Sequence, residues 1–305
     1  MALYNVGKTI REARIRLGVS QEELCFGICS TPTLSKIEGC KQNPNKKTME
    51  ALLQRLGLPV GIYNISVTET EFERARLERE ITNKIANSSY DIQDLLEQYR
   101  NLSENMDSLE EQFYLFMKAL YRKSQRATAQ ELQSLFEQAL QCTIPDFTLQ
   151  KLETRPLMTE LELMILNSIA RTEYMLHHKD SAINCLYNLR DYFLNRPIDS
   201  TVFGAQYPVI LFNLSNWEGL RKNFEAELSL ADEGVRVCNN YGKLAFYDLL
   251  IFNKAFALAS LNKKDEADCF FRQAFAIMEA KGKKFFLKYG IKRVNKCFNY
   301  TFSEK

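Results

Sequence analysis

The sequence predicts an all-α protein with two parts: a compact group of short helices in residues 1–65 and a longer array of paired helices in residues 66–305. Three observations lead to this prediction. Apolar residues recur at the helical period along the chain. Proline and glycine are absent from residue 69 to residue 144. Polar capping residues and glycines punctuate the first part at short intervals. A chain of 305 residues is long enough for two domains with a large core.

The first predicted helix runs from Val6 to Leu17, where apolar residues recur at helical spacing. Gly18 follows it, and a glycine just past a helix end can take the left-handed conformation that closes the last turn. Next, Ser20 and Glu23 have the spacing of a capping box, in which the Ser20 hydroxyl accepts from the Glu23 N–H and the Glu23 side chain reaches back. The second helix is therefore predicted to start directly after Ser20.

The third predicted helix begins at a proline. Ser30 or Thr31 can serve as the N-cap, which places Pro32 in the first turn, where the backbone N–H has no partner within the helix. The helix is predicted over residues 31–38, with Leu34 and Ile37 buried. Its outward face then consists of small and cationic side chains: Thr31, Pro32, Thr33 and Lys36.

A fourth apolar helix is predicted to close the small core and to end near Gly57; its apolar residues are Met49, Leu52, Leu53, Leu56 and Leu58. Two short helices joined by a tight turn, the second with a polar and partly cationic face, are typical of a helix-turn-helix. Residues 1–60 hold nine Lys or Arg against five Asp or Glu, which favours an anionic partner. The alternative is a packing module whose threonines only cap helices.

The stretch VGKTIREARIRLGVSQEELCFGICSTPTLSKIEGCKQNP resembles the lambda-repressor-like (XRE) DNA-binding domain, over roughly residues 4–62. The pattern of that family is a first helix, then LGxSQEEL, then a Ser/Thr-rich recognition helix ending in IExGKxxP. The resemblance implies that Gln21 contacts a phosphate and that Ser35 and Lys41 lie near the DNA backbone. It also implies that four side chains face base edges in the major groove: Thr31, Pro32, Thr33 and Lys36. A major groove about 12 Å wide admits such a helix.

The turn after the recognition helix departs from the family pattern. The family usually has glycine at the place of Cys40, whereas here Gly39 sits one residue earlier. This departure puts in question the geometry of the turn and the direction in which Lys41 points.

Degenerate repeats organise the second part, in which the 34-residue helix-turn-helix pattern of tetratricopeptide repeats can be aligned more than once. Asn213 and Asn253 mark equivalent positions 40 residues apart. The best-fitting copy contains Asn253, Ala255, Leu258, Asn262, Ala267, Phe271 and Ala274, and the copy before it contains Asn213, Leu214, Ser215, Phe224, Leu228, Ala231 and Gly234. Weaker copies include Ala170, Ala182, Leu186 and Leu189, and then Phe136 with Ala139. These copies predict a right-handed helical solenoid, closed by a C-terminal capping helix around Val294, Cys297 and Phe298. The charged segment 69–85 is predicted to be a connecting helix or simply a solvated helix face.

An XRE domain followed by tetratricopeptide-like helices resembles the Rgg and PlcR (RRNPP) quorum-sensing regulators of Gram-positive bacteria. The resemblance implies a homodimer that binds double-stranded promoter DNA and a repeat domain that binds a short signalling peptide. In that family, inner-helix asparagines hold the peptide backbone, and a carboxamide can pair with both groups of one peptide unit. The matching positions here are Asn167, Arg171, Asn213, Asn216 and Asn253, with Phe212, Phe252 and Phe256 as apolar lining.

Composition argues against several other classes. The eight cysteines are scattered without a CxxC pair, which predicts reduced thiols in a cytoplasmic protein and no metal site, although Cys25, Cys29 and Cys40 could be imagined as three ligands. No apolar run is long enough to span a membrane. The only histidines, His177 and His178, have no nucleophile or phosphate loop nearby, so neither catalysis nor a cofactor is expected. The alternative functions are a protein-binding adaptor or a peptide-independent repressor, whose N-terminal domain dimerises or docks.

Overall fold

The computed structural model describes residues 6–60, 68–87, 89–102, 105–149, 154–155 and 157–303. Within those residues the chain forms fifteen α-helices and no strand. The helices are α1 (Val6–Arg16), α2 (Gln21–Cys25), α3 (Thr31–Glu38), α4 (Lys46–Arg55), α5 (Glu69–Ala86), α6 (Gln93–Asn101), α7 (Ser108–Ser124), α8 (Ala129–Gln141), α9 (Glu160–Met175), α10 (Lys179–Asn195), α11 (Ser200–Leu220), α12 (Phe224–Tyr241), α13 (Tyr247–Ser260), α14 (Lys264–Ala280) and α15 (Lys284–Phe298).

The chain divides into two compact units, the first ending at Asp199 and the second beginning at Ser200. The predicted domain boundary at residue 65 lies outside the described residues. All-α architecture with a small N-terminal helical group is confirmed.

The caps predicted for the first helices are present. Ser20 and Glu23 form a capping box at the start of α2. Ser30 is the N-cap of α3, its hydroxyl accepts from the Thr33 N–H, and Pro32 occupies the first turn. Helices α1 to α4 enclose a core that contains Ile10, Leu24, Leu34, Ile37, Met49, Leu52 and Leu53. Leu157, which is distant in sequence, packs into the same core.

The turn after α3 keeps its geometry in spite of the displaced glycine. Cys40 takes a left-handed conformation with φ of +57°, while Gly39 has a φ of −83°. The Lys41 N–H donates to the Lys36 carbonyl at 2.8 Å, a bond that spans the turn as in a Schellman motif. The left-handed conformation costs a residue that has a Cβ about 1 to 2 kcal/mol.

The rest of the first unit consists of helices packed in chain order: α5 on α6, α6 on α7, α7 on α8, α8 on α9 and α9 on α10. The charged segment that follows residue 68 is the helix α5, and a capping box between Thr68 and Glu71 starts it. Its buried side chains are Arg74, Leu77 and Ile81.

The second unit repeats one arrangement. Helix α11 packs on α12, α12 on α13 and α13 on α14, while α11 also contacts α13 and α13 contacts α15. Gly234 permits close packing of α12 on α13, since a Cβ built there would lie 2.6 Å from a Leu250 methyl group. The predicted capping helix is α15, which buries Val294. The core is strongly aromatic and includes Phe252, Phe256, Phe271, Phe275, Phe298, Tyr300 and Phe302.

Candidate nucleic-acid interface and repeat-helix sites

Helix α3 presents a polar face to solvent. Leu34, Ile37 and Glu38 are its buried side chains. Thr31, Pro32, Ser35 and Lys36 are exposed, and Thr33 is half-buried. The sequence therefore placed the two sides of this helix correctly, because its apolar positions are three residues apart and its polar ones fill the remaining arc.

The threonine hydroxyls on α3 are already engaged within the domain. The Thr31 hydroxyl lies 3.6 Å from the Cys25 sulfur. The Thr33 hydroxyl lies 2.8 Å from the hydroxyl of the N-cap Ser30. Lys36, by contrast, makes no side-chain hydrogen bond or ion pair with any described residue. Lys36 is thus the side chain on α3 most available to an external anion.

Gln21 and Glu38 take part in a polar network beneath the candidate interface. Glu38 accepts from Arg14 Nε at 2.6 Å and from Arg14 Nη2 at 2.8 Å, and the Gln21 amide donates to it at 2.7 Å. Burial raises the pKa of Glu38, but the hydrogen bonds from Arg14 and Gln21 and the Arg14 charge together hold this pKa below its usual value. The network fixes α1, α2 and α3 relative to one another. Gln21 lies half-exposed at the first position of α2, and its contact with a phosphate stays a prediction. Lys41 is exposed just after α3, and its place near the DNA backbone also stays a prediction.

The back of the same domain is bound to the helices that follow it through a buried ion pair. Arg55, 2% exposed, donates to Glu162 at 2.9 Å and to the carbonyls of Leu24 and Phe26 at 3.0 and 2.6 Å. Glu162 itself is fully buried on α9. Sequence reasoning missed this pair, although one feature pointed to it: Arg55 interrupts the apolar stripe of α4. A charge on the buried face of a helix requires a partner.

A cleft between α4, α5 and α7 has a cavity volume of about 340 Å³ and is lined by both signs of charge. Lys47 contacts Glu78 at 2.5 Å and donates to the Tyr99 hydroxyl at 2.9 Å. Arg74 contacts Glu110 at 2.8 Å. These pairs cross from one helix to another, so the charges of the cleft hold helices together.

In the first unit, the predicted Arg171 on α9 lies near a cation that the sequence did not single out, Lys123 on α7. Both side chains are exposed, and neither has an ion pair with a described residue. Surrounding protein nevertheless displaces part of their water, and this desolvation, with the Arg171 charge, lowers the pKa of Lys123 to about 8. Desolvation also lowers the pKa of Arg171. Two partly dehydrated cations near one another attract an anion. Asn167 lies one turn earlier on α9, half-buried.

In the second unit, two of the predicted asparagines are buried between helices. The Asn253 amide donates to the Ser215 hydroxyl at 2.8 Å and to the Phe212 carbonyl at 3.4 Å, which ties α13 to α11. Asn213 is 8% exposed and Asn253 is 3% exposed. Phe252 and Phe256 belong to the aromatic core, whereas Phe212 and Asn216 are half-buried. Whether these residues contact a peptide stays a prediction, and Asn253 has a packing role in addition.

No group of His, Cys, Asp and Glu in the described part of the chain is arranged to hold a metal ion. His178 lies 3.1 Å from Glu173 in the turn between α9 and α10. Among the described helices, none is both long and apolar enough to cross a membrane.

Comparison with known proteins supports both parts of the fold. Residues 10–62 match the helix-turn-helix family, so the N-terminal part is a helix-turn-helix domain. Bacillus thuringiensis PlcR in complex with the peptide PapR7 and DNA matches with a TM-score of 0.59 and 15% identity, over 93% of this chain and 99% of PlcR. Its apo form matches with a TM-score of 0.57 and 12% identity, over 96% and 100%. The comparison with curated proteins gave no match. At these identities, the likeness to PlcR shows the fold.

Proposed function

We propose that the protein is a cytoplasmic, sequence-specific transcriptional regulator, which binds double-stranded promoter DNA as a homodimer and is modulated by a short signalling peptide. The observation that carries the DNA-binding part is the exposed face of α3, on which Lys36 is cationic and uncommitted within a matched helix-turn-helix domain. Such a helix enters the major groove, and one two-turn helix buries too little surface for specific affinity. Two copies reading half-sites about 34 Å apart supply the rest.

The PlcR structure, which contains a peptide and DNA, supports the peptide-binding part because the two chains share a fold over almost their full lengths. Lys123 and Arg171 provide chemistry for it in this chain. A peptide carries a carboxylate at its C-terminus, and an anion placed beside these two cations is attracted to partly dehydrated charges. Asn167, on the same helix as Arg171, is suited to a peptide unit. No catalytic role is proposed.

The DNA-binding proposal is tested with a duplex selected from a random pool by the wild-type protein. Lys36→Ala should lose about 1 to 3 kcal/mol of affinity for this duplex and relax the base preference at one position of each half-site. Lys8→Ala removes another exposed lysine of the same domain, on α1, and serves as the control. If Lys36→Ala weakens binding uniformly for every sequence while Lys8→Ala does not, Lys36 contacts a phosphate; if Lys36→Ala has no effect, α3 is not the element that reads the bases.

The peptide-binding proposal is tested by screening short synthetic peptides with free C-termini beside the same peptides with amidated C-termini. We expect a binder to need its free carboxylate and to lose affinity in Arg171→Gln and Lys123→Gln. Because Lys123 loses its proton as the pH rises through about 8, affinity should fall across that range. Lys118→Gln, on α7 but outside the pair, is the control. Binders that tolerate all these changes would leave the pair without a role in ligand binding.

A further inference from the structure

Helix α15 carries a row of four lysines along one exposed face. Lys284, Lys288, Lys292 and Lys296 are spaced four residues apart, and all four are exposed. Four residues of α-helix advance about 6 Å along its axis and turn about 40° beyond one full turn, so the row is evenly spaced and winds gradually around the exposed side of the helix. Helix α15 contains no acidic residue, and the four lysines form no ion pair with any described residue. The row is therefore an uncompensated line of positive charge.

Aromatic rings stand beside this row. Phe285 is 76% exposed and stacks on Tyr289, which is 56% exposed, with ring centroids 6.5 Å apart and planes 12° from parallel. Phe286 is 44% exposed and meets Phe285 edge-on. A contiguous exposed aromatic surface is typical of a binding site, whereas single exposed apolar residues are normal on a protein surface. Together the four lysines and three aromatic residues are the lysine–aromatic face.

This arrangement opposes the stability of the helix. Lysines four residues apart on a helix repel one another, and Lys284 lies at the helix N-terminus, whose partial positive charge disfavours a cation. The opposite side of α15 is used in the protein core, where Val294 is fully buried and Gly290 lies against Phe252 and Phe275. The charge and the rings are thus confined to the side that the core leaves free.

We propose that the lysine–aromatic face binds single-stranded nucleic acid, with phosphates along the lysine row and bases stacked on Phe285 and Tyr289. An extended single strand is complementary to this face, because it carries a regularly spaced line of negatively charged phosphates with flat bases beside it. A positively charged track combined with aromatic stacking platforms is the general mode of such binding, and it needs no base-specific hydrogen bonds.

Other occupants fit the face less well. Duplex DNA keeps its bases stacked inside and has no partner for the exposed rings. A membrane-surface helix buries its apolar side in the lipid, but here that side is spent on the core of the second unit. Protein interfaces are depleted in lysine. A second copy packed face to face would bring two lysine rows together.

The test is fluorescence anisotropy of the full chain with a labelled oligo(dT) strand, measured over a range of salt concentrations. The expected slope of log affinity against log salt is about −3, from four phosphates at about 0.7 each. Lys288→Ala/Lys292→Ala should lower the magnitude of this slope by about half. Phe285→Ala/Tyr289→Ala should weaken binding about tenfold or more with little change in slope.

Two controls make the result decisive. Lys243→Ala/Lys263→Ala removes two exposed lysines of the same unit outside the face, and this variant should retain oligo(dT) binding. Melting curves should show no loss of stability in any variant, since all substituted positions are exposed. Equal oligo(dT) affinity in the wild type and both face variants would overturn the proposal. So would binding of the face to vesicles of one-third anionic lipid, or dimerisation through it, without binding to the strand.

Discussion

The contacts that join helices within each unit of the chain differ in their balance of charge pairs and ring packing. In the first unit, ion pairs join helix to helix: Arg14 to Glu38, Lys47 to Glu78, Arg55 to Glu162 and Arg74 to Glu110. The second unit also has ion pairs, from Lys281 and Lys283 to the buried Asp248, but it adds a cluster of rings around Phe271 that pack on one another and on residues 299–303. Asn295 holds that segment by hydrogen bonds to both backbone groups of Phe302. Directional charge pairs fix geometry, whereas ring packing supplies hydrophobic stability.

Two buried acids, Glu38 in the first unit and Glu227 in the second, have opposite pKa shifts. The partners of Glu38 lower its pKa, so this group stabilises the first unit above its unfolded pKa and loses that effect as the pH falls. Glu227 in the second unit is buried against Gly219, and one of its carboxylate oxygens has no hydrogen bond. Burial raises its pKa to about 8, an effect that the Arg293 charge only partly offsets. The contributions of these two carboxyls to stability therefore change with pH in opposite directions.

The largest loss of stability is expected when the buried ion pair between Arg55 and Glu162 in the first unit is broken. Glu162→Ala leaves Arg55 charged and buried, and should cost about 3 to 5 kcal/mol in the free energy of unfolding. The double variant Arg55→Met/Glu162→Leu should recover only part of this loss, because the Leu24 and Phe26 carbonyls lose their donor. Chemical denaturation measures both. Arg76→Ala, which breaks an exposed ion pair on α5, should have no measurable effect.

The next effect tests the buried acid of the second unit. A carboxyl whose folded pKa exceeds its unfolded pKa stabilises the fold while protonated and loses this effect as the pH rises toward the folded value. Glu227→Gln should therefore stabilise the second unit at pH 8 by on the order of a few kcal/mol and change little at pH 4. Hydrogen exchange of the backbone amides in residues 200–303 measures the stability of this unit separately. Equal protection of both proteins at both pH values would contradict the assignment.

A smaller effect probes the packing of the second unit. Gly234→Ala places a methyl group against Leu250, which is fully buried, and should cost about 1 to 3 kcal/mol. Arg236→Ala, at an exposed position of the same helix, is the control for helix propensity. Thermal melting at several salt concentrations should show a salt-independent loss for Gly234→Ala, unlike variants of the ion pairs in the first unit.

The smallest effect concerns the turn after α3. Cys40→Gly should stabilise the helix-turn-helix domain by about 1 kcal/mol, because glycine takes the left-handed conformation without the Cβ penalty. Cys40→Ala keeps that penalty while removing the thiol, so it should not stabilise. If both variants behave alike, the thiol and not the backbone conformation determines the effect.

Local chemistry explains what the sequence could predict. Helix α3 was predicted with its observed bounds because Ser30, Pro32 and Gly39 each act within a few residues. The helix α5 was predicted from its dense charge, and the repeat pairs α11–α12 and α13–α14 from the tetratricopeptide pattern with its 40-residue spacing. The pairing of Arg55 with Glu162 could not be predicted, since 107 positions separate them and several acids could have served. Asn253 shows a second limit: the family resemblance implied a peptide contact, whereas the structure shows that this side chain also donates a hydrogen bond to Ser215.

The helix-turn-helix domain shares its interior with residues far along the chain. Leu157 fills part of its core, Gly27 lies so close to Thr143 that a Cβ would meet the backbone at 1.8 Å, and Gly57 approaches Pro197 in the same way. The helix-turn-helix domain is therefore not a structurally independent unit. A chimera that joined residues 1–65 to a different repeat array would leave Arg55 without Glu162 and would leave a cavity at the position of Leu157. A change in the DNA specificity of this protein is therefore expected to come from substitutions on α3 and not from exchange of residues 1–65.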